Sequence, residues 1–362
     1  MQHRWLLPIL TAALLSLSTS AAPSPAGFGQ ALFSALGKEQ PRGNLALSPL
    51  SAGGALRLVA DGAAGATRKE LDAVVPSAAP SGATVVVVAR GITLDPIWRA
   101  GVEAAGAHIV DGVDPEQARA QVNAFVSSST SGAIPQLLAA GPAGAIVIVN
   151  ALRFAGKWQI PFADARPAPF FVDGGAASDV PTMHLDDVTI RAARTKNADV
   201  VVLPYNDSKN RMVLVVPKKR QGVVDVGPVA GLIEQTRFQE VKLALPRFHV
   251  DSSFDLRASL QELGVKSAFA CAGKAAADFS AMGHAAGMPL CLAEVRQSVV
   301  VDVDEAGTTA VAGTAALMAM AEGEREHKPL EIRADHPFFF FIVDEDNDVL
   351  FAGRVGDPAK GS

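Results

Sequence analysis

Seven histidines, two cysteines and a serine-bearing helix entry are what this 362-residue chain offers for chemistry. A nucleophilic serine needs a neighbouring base and a turn that supplies oxyanion donors. Ser48 and Ser51 in "NLALSPLS" have neither nearby in sequence, so they are expected to cap a helix or to hydrogen-bond. The histidines are scattered, and none stands at metal-ligand spacing from a cysteine. No G-x-S-x-G elbow, H-E-x-x-H helix, Walker loop or Gly-rich dinucleotide turn occurs. The expectation is a protein that is not an enzyme, with no cofactor and no metal. Cys271 and Cys291 leave two alternatives open, a bridge worth about 3 kcal/mol by loop closure or two separate small hydrophobes.

One segment is unlike its neighbours. "DEAGTTAVAGTAALMAMAEGEREHKP" (Asp304 to Pro329) lies between the strand patterns "QSVVVDVDE" and "HPFFFFIVDEDNDVLFAGRVGDP". Glu305 ends the first strand and Gly307 supplies a pivot. In an extended conformation Thr308, Ala310, Ala312 and Thr314 share one face, and nothing charged follows until Glu322. Such a run could enter the middle of a sheet without burying an unpaired charge. On composition alone, an Ala/Gly/Thr linker accounts for it equally well.

The elements that must hold this segment are well marked. Ser48 with Pro49, and Asp114 with Pro115, announce helix starts, and "TRKE" (Thr67 to Glu70) has the spacing of a capping box. "SSFDLRASLQELG" spaces Leu256, Leu260 and Leu263 as a helix that stops at Gly264. "GAIVIVNALRF", "ADVVVLPY", "RMVLVVP" and "EVKLALPRFHV" are strands by β-branching or alternation. Helices gather early and strands later, which predicts an α+β class. No repeat or Pro/Ser-rich linker divides the chain, so residues 23–362 form one domain.

Bulk numbers set outer limits. With 49% hydrophobic and 19% charged residues the chain can bury a large core. A formal charge of −5 leaves no footprint for nucleic acid or an anionic membrane. "MQHRWLLPILTAALLSLSTSAA" (1–22) has a basic start, an apolar run and small residues at its end, the pattern of a secretory signal peptide. The expected location is outside the cytoplasm, periplasmic or extracellular.

Six blocks together carry a family resemblance. "NLALSPLS", "VNAFVSSSTSGAIPQLL", "VNALRFAGKWQIPF", "LALPRFHVDSSFDLRASLQELGV" with "AADFSAM", the segment after Asp304, and "HPFFFFI…VLFAGRVGDP" occur in the order found in serpins. Phe125 stands where the family has Trp. The chain resembles an exported bacterial serpin across essentially all of residues 23–362. The resemblance implies a single α+β domain with a large central mixed sheet, further sheets, a layer of helices and an exposed reactive-centre loop. The short stretch between Val75 and Asp114 implies a trimmed outer helical layer.

Serpins are suicide-substrate inhibitors whose cut loop inserts into their own sheet. The resemblance therefore implies a target serine protease as partner, elastase-, subtilisin- or chymotrypsin-like, or else a cysteine protease, met by a monomer. The hinge falls at Glu305, Gly307, Thr308, Ala310, Ala312 and Thr314. The bait bond falls at Ala321–Glu322, with Met320–Ala321 as the alternative and Arg325 outside the expected spacing. A shutter of Ser48, Ser51, Asn150 and Gln297 is implied, Gln297 standing where the family has His and thus removing a pH-sensitive group. Fourteen inserted positions would form a strand of about 45 Å. A non-inhibitory binding or storage relative is the alternative.

Overall fold

Proline sets most of the helix starts. The first part of the chain holds α1 (Pro25–Glu39), α2 (Pro49–Asp61), α3 (Gly65–Val74), α4 (Pro96–Ala104) and α5 (Pro115–Ser129). All but α3 carry Pro at the first helical position, where its missing N–H leaves no bond unmade. Asp114 and Gln117 close a full capping box on α5, and Asp95 accepts from Ile97 and Trp98 to cap α4. The computed structural model describes residues 24–172, 175–207, 209–220, 227–273, 275–287, 290–308 and 328–360. Residues 1–22, expected to be a signal peptide, lie outside them.

Two helix expectations need correction. Thr67 does not cap: Ala64 precedes α3, and the buried Thr67 hydroxyl accepts from the Asp278 N–H at 3.0 Å. Glu70 instead accepts from the backbone of Lys266 and Ser267, at 2.7 Å each. The T-x-x-E spacing here serves a tertiary contact. The helix expected through "SSFDLRASLQELG" is shorter; α6 (Val229–Glu234) precedes it and α7 spans only Arg257–Glu262. Ser252 to Asp255 belong to a strand instead, paired antiparallel with Val299 to Arg296, and the Asp255 carboxylate accepts from the Val295 N–H.

The strands are β1 (Leu45–Leu47), β2 (Ala83–Val88), β3 (Ile92–Leu94), β4 (His108–Val110), β5 (Ile146–Phe154) and β6 (Gly156–Lys157). Then come β7 (Ala163–Phe171), β8 (Ala177–Arg194), β9 (Ala198–Pro204), β10 (Arg211–Pro217), β11 (Arg237–Pro246) and β12 (Phe248–Asp255). The last are β13 (Gly283–Ala285), β14 (Leu292–Val303), β15 (Gly307–Thr308), β16 (Leu330–Arg333), β17 (Phe338–Val343) and β18 (Val349–Val355). A nine-stranded sheet runs β1-β18-β17-β10-β9-β8-β11-β16, with β7 on β8. A five-stranded mixed sheet runs β12-β14-β5-β2-β4.

Alternation along β5 ties these layers together. Leu152 and Phe154 join Val299 and Val301 of β14 against Leu214 and Phe340 of the larger sheet. Val147, Val149 and Ala151 face the other way, with Val300, onto Val122 and Val126 of α5. Val122 and Val126 are fully buried, each contributing about 1.5–3 kcal/mol of apolar transfer. The five-stranded sheet is thus covered on both faces, which explains why its strands read as near-continuous apolar runs. Among the described residues no helix is long and apolar enough to cross a membrane.

Candidate functional site

The centre of the five-stranded sheet is a parallel seam. β14 and β5 pair directly from Leu292↔Ile146 to Val301↔Phe154, with one register shift between Leu292 and Glu294. Both strands end at the same edge, and there the chain turns back on itself. The Asp304 carboxylate accepts from the N–H groups of Ala306 and Gly307, at 2.9 and 3.1 Å. Gly307 and Thr308 then pair antiparallel with Lys157 and Gly156. A Cβ on Gly307 would stand 2.2 Å from the Gly156 carbonyl oxygen, so only glycine allows this approach.

An aromatic block receives Gly307 and Thr308, the start of the expected hinge. Thr308 is fully buried, its Oγ1 3.0 Å from the Tyr205 hydroxyl. Tyr205 stacks on Trp158 at 4.5 Å between centroids, and the Trp158 indole N–H donates to the Asp304 carbonyl at 2.9 Å. Burial pushes the Tyr205 phenol well above its usual value, outweighing the Thr308 hydrogen bond, so the hydroxyl stays protonated.

Glu305 anchors the turn from its other side. Arg247 grips it through Nε at 2.8 Å and Nη2 at 2.5 Å, and the Ala165 N–H donates to it at 2.8 Å. Burial alone would raise the Glu305 carboxyl. The Arg247 guanidinium and the backbone donors outweigh it and hold the group below its ordinary range.

The implied shutter residues meet under the seam. Gln297 Nε2 donates to Asn150 Oδ1 at 2.8 Å and to the Ser48 carbonyl at 2.9 Å, while Gln297 Oε1 accepts from the Ser48 N–H at 2.9 Å. Asn150 Nδ2 donates to the Ser81 carbonyl and Thr84 Oγ1, both at 3.0 Å. The Ser51 hydroxyl donates to the same Ser81 carbonyl at 2.6 Å, and that of Ser48 to Leu350. Gln297 thus uses donor and acceptor at once, as an amide can. All four side chains are buried. Neither serine meets a histidine, and among the described residues no cluster of His, Cys, Asp or Glu could hold a metal.

Cys271 and Cys291 form a disulfide with Cα atoms 5.1 Å apart, beside the start of β14. Ala310, Ala312, Thr314, Met320, Ala321, Glu322 and Arg325 lie outside the described residues. Tyr205, Arg247, Ser81 and Thr84 are site residues that sequence reasoning missed. Tyr205 carried a faint signal as the single tyrosine of the chain, placed at the end of an apolar strand.

Comparisons with known proteins agree with this geometry. The family profile described as Serpin (serine protease inhibitor) matches residues 23–89 and 81–358. An uncharacterized serpin-like protein of Thermococcus kodakarensis is 32% identical over 68% of this chain and 58% of its own length. The leukocyte elastase inhibitor of Bos taurus is 35% identical over 67% of this chain and 67% of its own. A solved serpin of the insect Tenebrio molitor, described as highly specific, superposes with a TM-score of 0.77 at 23% identity, covering 94% of this chain and 99% of that one.

Proposed function

The chain belongs to the serpin family, and on that premise we propose that it is a suicide-substrate inhibitor of a serine-type protease. One observation supports this above the rest. The hinge emerges at the end of a parallel seam, so a strand that runs back from it would lie antiparallel to both β14 and β5. Two antiparallel ladders would replace one parallel ladder, which pairs less well per residue. With each new ladder bond worth about 1 kcal/mol net, insertion would release on the order of 10 kcal/mol. The uncut chain is then a kinetic trap, held by its barrier.

The target attacks the Ala321–Glu322 bond, or Met320–Ala321, and forms an acyl-enzyme. The freed loop enters the seam and drags the protease to the far edge of the sheet. A small or medium apolar residue at the bond selects an elastase-, subtilisin- or chymotrypsin-like enzyme. The leader-like start and the disulfide support action in an oxidising compartment, periplasmic or extracellular; the inhibitor is proposed to act as a monomer. The test is incubation with a panel of serine proteases. An SDS-resistant adduct is expected, with the released C-terminal fragment starting at residue 322 or 321. Complete cleavage without adduct for every protease, and no gain in melting temperature on cleavage, would leave only a substrate.

A further inference from the structure

Among the described residues, two polar side-chain contacts cross the seam between β5 and β14. On the inner face Gln297 and Asn150 share their hydrogen bond. On the outer face, nearer the hinge, Arg153 Nη2 stands 3.7 Å from Asp302 Oδ2. These two residues lie on the face whose neighbours Ala151 and Val300 pack towards α5. Asp302 also touches Nδ1 of His249, its register partner on β12. A row of polar side chains thus crosses three strands, and within it the Arg153–Asp302 link spans the seam. Among the described residues the buried Arg153 Nε has no hydrogen-bond partner, so the guanidinium is partly desolvated beside its carboxylate.

We propose that Arg153 and Asp302 form an electrostatic latch across the seam that sets how fast a cut loop can enter it. The latch rests on the insertion mechanism proposed above, and neither residue is asked to touch the protease. A strand placed between β5 and β14 moves them two spacings apart, from contact to about 9–10 Å between backbones. The hinge pairing tells which residues come between. Thr308↔Gly156, continued three steps along both strands, sets Val311 beside Arg153. Continued six steps, it sets Thr314 beside Asn150 on the inner face. The two seam contacts are therefore replaced unequally. A threonine hydroxyl can take up the bonds that Asn150 and Gln297 lose, whereas a valine offers nothing to a guanidinium or a carboxylate. The outer contact opposes insertion and is not restored in the product.

Both side chains are about a third exposed, at 28% and 34%, so the latch is modest and open to salt. Removing it should speed insertion about two- to five-fold, the range of a partly exposed ion pair. The test uses the uncut full chain and a synthetic peptide of residues 308–321 as the inserting strand. Annealing is followed by native electrophoresis and by the rise in melting temperature. Arg153→Gln and Asp302→Asn should each anneal faster than the parent, and the double variant no faster than the faster single one. About 1 M salt should speed the parent and close the gap. Arg153→Gln decides the matter, since it leaves the Asp302–His249 contact in place. Annealing by that variant at the parent's rate in low salt would overturn the latch, even if its uncut form melted lower. Failure of the peptide to enter any of the chains, parent included, would instead overturn insertion itself and the latch with it.

Discussion

The Tyr205 hydroxyl and the Thr308 Oγ1 lie 3.0 Å apart, with both side chains sealed from solvent. Thr308, the first side chain of the proposed hinge, is thus already seated in the fold, and the proposed insertion would begin from a fixed point. Tyr205→Phe removes one partner and leaves the Thr308 hydroxyl buried and unpaired, at a cost of about 1–3 kcal/mol. The uncut chain should melt lower. Adding Thr308→Val removes the second hydroxyl and should recover most of the loss in the same melting assay.

Thr308→Arg tests whether that seat must stay neutral. A guanidinium here would replace a fully buried hydroxyl against Tyr205, which is itself packed on Phe154 and Trp158, at a cost of several kcal/mol if left unpaired. The variant should be cleaved by the target protease as an ordinary substrate, with little or no SDS-resistant adduct. Trapping at the parent's efficiency would count against entry of the loop through this seat.

Acidification should loosen the turn through Glu305. Its carboxyl is held below the ordinary value, so the stability it adds is complete above the unfolded-state pKa of about 4.3 and fades as pH falls through the folded-state value. Melting of the parent and of Glu305→Gln should differ near neutrality and converge at the acid end. A constant gap across that range would mean the Arg247 pairing adds nothing.

Gln297→His should give the seam a pH dependence that the parent lacks at this position. The site is buried and supplies a backbone donor and an amide oxygen, so burial lowers the pKa of an introduced imidazole. Its folded pKa then lies below the unfolded value of about 6.5, and stability falls as pH drops through that region. Thermal melts of parent and variant at about pH 5 and pH 8 would show it. Equal shifts in both chains would sink the idea.

The elements were largely legible because local chemistry wrote them. Pro49, Asp114 with Pro115, and the β-branched runs of β5, β9 and β10 announce themselves within a few residues. Thr67 misled because a capping box and a tertiary anchor share one spacing. Residues 252–255 misled because the stretch just ahead of the helical leucines, which begin at Leu256, is claimed by cross-strand pairing. The shutter residues could be named through family resemblance, and the structure brings them together. Tyr205 and Arg247 could not, since their partners lie 103 and 58 residues away and no periodicity links them. The Arg153–Asp302 contact was hidden for the same reason: it exists only once β5 and β14 are neighbours.

Trp158 gives the molecule a built-in lamp. The chain has three tryptophans: Trp5 in the leader-like start, Trp98 tied to the Leu58 carbonyl among the helices, and Trp158 at the mouth of the seam. Its indole is stacked on a phenol and bonded to the residue just before the turn, so any strand that passes that mouth must disturb its emission. In a chain freed of its first 22 residues, Trp98 serves as the steady reference. The movement can then be timed by light alone, with no dye attached.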